Sequence, residues 1–203
     1  YGLVGSEMCI RDRLKVTDIT IETQKAAEKL GRPVGRYITL TATDSTFDMY
    51  SDSFRERAEV IAKAIGELCG GCERFLAVGL GNYALTSDAV GPLTAEKIFA
   101  TRHIKSLAKE LDTDNLGEVT VIQPGVLGNT GIESSEQVKA IAERVTPQAV
   151  IAVDALACSE LSNLGRTIQL CNTGISPGSG VENARKELSL STLGVKCIAI
   201  GVP

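Results

Sequence analysis

Residues 147–155 read P-Q-A-V-I-A-V-D-A, and the fold follows from how this stretch is built. Ala149 to Val153 is apolar without alternation, Pro147 closes off any helix arriving from upstream, and Asp154 follows at once. A run this short, continuous and rich in β-branched residues predicts a strand covered on both faces, as in the centre of a parallel sheet. Upstream of it, Ser134-Ser135-Glu136 opens a helical pattern that lasts to Val145, with Ser134 as the expected N-cap. Before that, Glu118 to Ile122 reads as another strand. Phe75 to Leu80 is a second continuous apolar run, and a polar loop then leads to Pro92, which suits a first helical turn. That helix is expected to continue through about His103 and Leu107. Thr167 to Leu170 and Lys196 to Ile200 are expected strands on the downstream side.

Nearer the N-terminus, Val16 to Ile21 and Tyr37 to Thr43 are alternating and β-branched, which predicts two strands paired hairpin-fashion around Gly31-Arg32-Pro33. Between them and Phe75, apolar residues at Phe54, Ala58, Ile61, Ile65 and Leu68 give a helical stripe that stops at Gly70-Gly71. Strands and helices thus alternate, implying right-handed crossovers and a three-layer α/β/α sandwich with a mostly parallel central sheet. Residues 14–203 are expected to form a single α/β domain, truncated at both ends. Residues 1–13 lack periodicity, and V-G-S-E-M-C-I-R-D-R within them resembles translated sequencing-adapter sequence, so that segment is set apart as non-native.

The 203 residues are 43% apolar and 23% charged, enough for one sizeable core, and the net charge is -4 with basic residues dispersed. No basic stripe is present to neutralise phosphates or anionic lipid, so direct nucleic-acid and membrane binding are not expected. Apolar runs stay at strand length, far below the roughly 20 residues of a spanning helix. Six cysteines are scattered and fit reduced thiols in a cytosol. Cys69 and Cys72 form C-G-G-C, which fits a redox pair or half of a zinc site, but no second C-x-x-C exists and His103 is the sole histidine, so two thiols at a helix end is the favoured reading.

Ligands in open α/β sheets collect beyond the carboxyl ends of strands, which directs attention to three loops. The first, residues 79–92, reads G-L-G-N-Y-A-L-T-S-D-A-V-G-P and carries Asp88 near its end; the third begins with Asp154 itself. Two carboxylates in one partly desolvated site hold one proton between them, an arrangement suited to amide hydrolysis. Each aspartate taken singly also fits a helix cap or turn former. The middle loop, residues 123–133 (Q-P-G-V-L-G-N-T-G-I-E), offers backbone donors and acceptors for an extended peptide or a reacting carbonyl, or is simply a long connection. Residues 172–180, N-T-G-I-S-P-G-S-G, form a further glycine-rich loop of functional length.

Gly79, Gly81 and Ala84 satisfy the G-x-G-x-x-A dinucleotide fingerprint, yet Asp88 would repel a pyrophosphate and the next helix waits until Pro92. His103 lies within a helix between Arg102 and Lys105, away from the loops, and Cys158 has no loop histidine to activate it.

Several blocks resemble the germination protease family of spore-forming bacteria: V-G-L-G-N at 78–82, D-A-V-G-P at 88–92, T-R-H at 101–103 and P-G-V-L-G-N-T-G-I-E at 124–133. They continue with I-A-V-D-A-L-A at 151–157, T-G-I-S-P-G-S-G-V at 173–181, R-K-E-L-S at 185–189 and A-I-G-V-P at 199–203. The resemblance implies an atypical aspartic-type endopeptidase with a fold similar to hydrogenase maturation proteases, and it places the two essential aspartates on Asp88 and Asp154. It further implies a homotetramer made as a zymogen that removes its own propeptide, and no cofactor. Its substrates would be small acid-soluble spore proteins, cut after acidic and before hydrophobic residues in the cytoplasm of the forespore and spore core. Tyr83, Ser87 and Ser176 stand where that family usually has tryptophan, proline and histidine. A metal-dependent maturation-type protease with an ion held by the same carboxylates, and a dinucleotide-binding oxidoreductase, are the competing expectations.

Overall fold

A computed structural model describes residues 4–11, 13–44, 46–47, 50, 52–107, 113, 116–177 and 187–203, with the backbone alone for 4–11 and 106–107. Residues 178–180 of the last glycine-rich loop, and the neighbouring blocks through residue 186, lie outside the described residues. The strands are β1 (Val4–Arg11), β2 (Leu14–Ile21), β3 (Gly35–Ala42), β4 (Arg74–Gly79), β5 (Glu118–Ile122), β6 (Ala149–Ala155), β7 (Thr167–Cys171) and β8 (Lys196–Val202). The helices are α1 (Gln24–Leu30), α2 (Phe54–Cys69), α3 (Val90–Lys97), α4 (Arg102–Leu107), α5 (Leu127–Thr130), α6 (Ser134–Val145) and α7 (Leu190–Leu193). The protein is of the α/β class, and the chain gathers into two compact units.

The first unit comprises residues 1–70, 156–173 and 198–203. Its strands run in the order β1-β2-β3-β7-β8, and each neighbouring pair is antiparallel. The segment 1–13 supplies β1, whose backbone pairs with β2 from Val4↔Ile21 to Arg11↔Leu14. The expected pairing of the next two strands is present as β2 with β3, but a helix replaces the simple turn between them. Thr23 caps that helix by accepting from the Ala26 N–H at 3.3 Å, and Gly31 closes it in the left-handed region at φ 62°.

The buried face of α2 is rotated from the expected stripe. Phe54 and Ala58 are exposed, whereas Arg57, Ala64 and Leu68 face inward. Arg57 tolerates burial because its charge is satisfied: Nη1 donates to the Thr46 carbonyl at 3.1 Å, Nη2 pairs with the Asp44 carboxylate, and the guanidinium lies 5.9 Å from the Phe47 ring centroid.

The second unit comprises residues 71–155 and 174–197. Its strand order is β6-β4-β5, and both pairs are parallel, in registers that set Val78 opposite Ile122 and Gly79 opposite Val153. Residues 149–153 are therefore the buried parallel strand their composition predicts, with Ala149, Val150 and Ala152 fully buried. Leu76, Val78, Val150 and Ala152 pack with Val138 and Ala142 of α6 and with Leu188 and Cys197. On the opposite face α3 packs against β4 and β6, so this sheet carries helices on both sides. A buried leucine such as Leu76 contributes about 1.5–3 kcal/mol.

Two helical boundaries differ from expectation. The helix starting near Pro92 stops at Lys97, Ile98 turns extended, and α4 restarts at Arg102. Tertiary bonding explains the break: buried Thr101 donates from Oγ1 to the Gly117 carbonyl at 2.5 Å, accepts from the Val119 N–H at 2.8 Å, and donates its own N–H to the Val119 carbonyl at 3.0 Å. At α6 the boundary residue is Glu133, not Ser134, whose hydroxyl instead donates to the Gly125 carbonyl at 2.9 Å. That bond ties the start of the helix back across the middle loop.

Candidate active site

The site is built where β4 and β6 end together. The Leu80 N–H, one residue past β4, donates to the Val153 carbonyl at 2.8 Å, so the loop leaving β4 is pinned to the last turn of β6. Gly81 then adopts φ 113°, a conformation that side-chain-bearing residues avoid, and a Cβ there would lie 2.9 Å from Asp88 Oδ1. This reversal lets the Asn82 N–H donate to Asp88 twice, to Oδ2 at 2.8 Å and to the main-chain carbonyl at 3.0 Å. Asn82 Oδ1 accepts from the Ala84 N–H at 3.0 Å, an Asx-type turn that shapes the rest of the loop.

Asp88 ends a single 3-10 turn, Thr86–Asp88, and is half-buried. Asp154, next to last in β6, is 6% exposed, and its Oδ1 accepts from the Ala155 N–H at 3.0 Å. The turn bearing Asp88 packs against β6, which brings both aspartates to the carboxyl edge of the same parallel strands. Gly91 makes that approach possible. A Cβ on it would press on the Leu80 carbonyl and lie 2.5 Å from the Val153 carbonyl, so only hydrogen fits between the two strand ends.

Beside Asp88 a cavity of about 250 Å³ opens between residues 81–84, Pro92 and the middle loop at Gln123, Gly125 and Asn129. Within the middle loop, residues 127–130 coil into the short helix α5, ended by Gly131 in the left-handed region. Gln123 and Asn129 on this wall, and Asn82 opposite, carry the side-chain amides that sequence reading passed over. Their loops were marked by glycines; their meeting in space was not.

Other expected positions fall elsewhere. His103 is exposed on α4, and the Cys158 thiol, in the first unit, donates to the Glu160 carbonyl at 2.9 Å. The dinucleotide fingerprint lacks its helix: α3 starts at Val90, six positions beyond Ala84 (90 − 84), so no helix N-terminus faces the glycines. Among the described residues no three His, Cys, Asp or Glu side chains gather as an ion-binding group, and no helix is long and apolar enough to cross a membrane.

A family model described as "Germination protease" matches residues 4–203. The chain belongs to the germination protease family. Similar members include the germination proteases of Clostridium perfringens strain ATCC 13124 (40% identity over the whole chain and 62% of the relative) and Clostridium tetani (42% over 94% of the chain and 59% of the relative). The germination protease of Oceanobacillus iheyensis is 41% identical over the whole chain and 56% of its own length. The chain thus spans about three-fifths of the family members it matches. Among solved structures, a nickel–iron hydrogenase maturation protease from Thermococcus kodakarensis KOD1 aligns with a TM-score of 0.41 and 19% identity, covering 68% of this chain and 79% of that one. For a germination protease family chain, the site described above combines one deeply buried carboxylate, one half-buried carboxylate and an adjoining cavity of side-chain size.

Proposed function

We propose that the protein is an endopeptidase of spore germination that hydrolyses peptide bonds with Asp88 and Asp154. Support comes from one arrangement above all: in a chain of this family, a buried strand-end aspartate and a second aspartate on a turn packed against that strand share one sheet edge. The ionised member takes a proton from water as the water oxygen bonds to the peptide carbonyl carbon. The protonated member first polarises the carbonyl oxygen and then gives its proton to the leaving nitrogen as the C–N bond breaks. Products are an acid and an amine, and the two carboxyls have exchanged protonation.

The substrates proposed are small acid-soluble spore proteins, and the working form is a homotetramer released from a zymogen in the forespore and spore core. We also propose that residues 14–203 act as one peptidase domain, with residues 1–13 of non-native origin and no cofactor needed. A maturation-type metalloprotease with an ion held by the same carboxylates is less well supported, because no site loop adds a histidine to them, His103 being exposed on α4.

Asp88→Asn and Asp154→Asn are each expected to cut turnover of a peptide spanning a spore-protein cleavage site by roughly 100- to 10,000-fold. Thermal unfolding should stay close to that of the parent. Undiminished cleavage by either variant overturns the assignment. Titrating a chelator into the same assay is expected to leave the rate unchanged, and a rate that falls as metal is stripped would favour the metal-dependent reading.

A further inference from the structure

We propose that the outer edge of β5, at Val121, binds the backbone of an extended peptide, which adds there as one more strand on its way to the aspartates. This rests on the peptidase reading for what the peptide is, and it assigns recognition to main chain, whatever side chains the peptide carries.

Among the described residues β5 ends the sheet, with β4 on one side only. Its pairing with β4 runs without a bulge from Arg74↔Glu118 to Val78↔Ile122, so successive residues turn their main-chain groups alternately towards β4 and away from it. The Glu118 N–H donates to the Glu73 carbonyl at 2.7 Å, on the β4 side. Val119 faces outward, where Thr101 Oγ1 accepts from its N–H at 2.8 Å and the Thr101 N–H donates to its carbonyl at 3.0 Å. By the same alternation Val121 faces outward, and neither its N–H nor its carbonyl has a partner among the described residues. The edge is closed at its start and open two residues later. One free N–H and one free carbonyl on the same residue are what an added strand needs to fix its register.

The open part of the edge leads to the site. One residue past β5, Gln123 lines the cavity beside Asp88 together with Asn82, whose N–H holds Asp88 Oδ2 at 2.8 Å. In the order β6-β4-β5, an added strand stands three spacings from β6, which bears Asp154: added strand to β5, β5 to β4, and β4 to β6. At ~4.8 Å each this is ~14 Å, or about four residues of extended chain at ~3.3 Å. A peptide seated at Val121 therefore brings a bond about four residues away to the aspartates. Thr101 blocks the other direction, because a chain sliding towards Val119 or Gly117 meets groups that are already bonded. An extended peptide is the occupant that suits both ends of this path: its N–H and C=O groups match Val121, and its length reaches Asp88 and Asp154.

The test changes the peptide backbone and leaves its side chains alone. Fluorescein-labelled peptides of about twelve residues, long enough for that span on either side of the cut, carry an ester in place of each amide in turn. They are titrated with the Asp154→Asn protein and followed by anisotropy. Whichever way the peptide runs, one of its N–H groups donates to the Val121 carbonyl, and replacing that group is expected to weaken binding about fivefold, against less than about twofold for its immediate neighbours. Mass spectrometry of the peptide cleaved by the parent protein should place the sensitive amide about four residues from the cut bond. At saturating peptide the hydrogen exchange of the Val121 amide, read by NMR, should slow at least about tenfold, while that of Val119 stays as it was. Val121→Pro, which removes the donor at an edge position where proline is tolerated, should weaken binding about as much as the most sensitive ester. The ester scan and the exchange measurement keep the test open if that variant does not fold. If Asp154→Asn still cleaves, the aspartate assignment fails and the same scan is read from kcat/KM of the parent protein. A scan that is flat along the peptide, Val121 exchange unchanged by bound peptide, or no binding overturns the edge site. Val121 exchange that is already slow without peptide and quickens on dilution gives the edge to a second copy of the chain, and overturns it too.

Discussion

In the antiparallel unit, charged side chains tie elements together across the sheet: Arg57 reaches Asp44 and the Thr46 carbonyl, and Arg36 donates from Nε to both Asp18 oxygens at 3.1 Å and from Nη2 to Glu67 at 2.7 Å. In the parallel unit the equivalent work falls to backbone. Leu80 bonds Val153, Asn82 bonds Asp88, and glycines at 79, 81 and 91 let main chains meet where a Cβ would collide. The contrast teaches where precision is needed. Charged side chains on long stems tolerate small shifts, whereas backbone contacts at strand ends hold two carboxylates in place because they have few ways to move.

Gly91→Ala is expected to have the largest effect of the changes that probe this contrast. It forces a methyl group between the Leu80 and Val153 carbonyls and should cost about 3 kcal/mol or more, lowering the denaturation midpoint and abolishing cleavage together. A stable, active Gly91→Ala protein would break the comparison.

A smaller effect, with a defined pH dependence, is expected at Asp44. Partial desolvation raises its pKa, but its own backbone hydrogen bond and the charges of Arg57 and Arg13 outweigh this and hold the carboxyl below its ordinary value. The folded state therefore binds fewer protons than the unfolded chain across that interval, and the stability it contributes is lost as pH falls through the carboxylate range. Thermal melts from pH 6 down to pH 3 should show a steeper decline for the parent than for Asp44→Asn. Equal slopes would mean that the pair with Arg57 contributes nothing on acidification.

The smallest effect belongs to Asp18→Asn. Asp18 and Glu67 both raise the pKa of Arg36 above its already high value, Asp18 most strongly, but Arg36 is one-third exposed. Loss of the pair should cost less than about 1 kcal/mol, and the difference should shrink in 1 M salt. A loss that salt does not touch would show that the pair acts through packing.

How much of this was legible beforehand varies with how local the causes are. Residues 149–153 and the α6 pattern declared themselves because burial on two faces, or on one stripe, leaves a direct mark in composition. The short α1 was overlooked although Thr23 and Gly31 mark both ends, since Gly31-Arg32-Pro33 also spells a turn. The register of α2 was misjudged by a fraction of a turn because an inward arginine, satisfied by residues ten or more positions away, breaks the rule that apolar residues point in. Asp88 and Asp154 stand in loops beyond strands, which suits a cap or turn former equally well, and it is the family resemblance of the blocks around them that singles them out as a pair. The amides at 82, 123 and 129 were not singled out, because nothing in either loop alone says that the other faces it.

Thr101 has a further consequence for the life of the chain. β5 is the outer strand of the parallel set, and an outer strand is a template on which other copies can grow. By closing the Gly117 carbonyl and both main-chain groups of Val119 with one side chain and one peptide group, Thr101 removes the upstream half of that template. The interruption between α3 and α4 therefore occupies main-chain groups on which an added strand would otherwise have to pair.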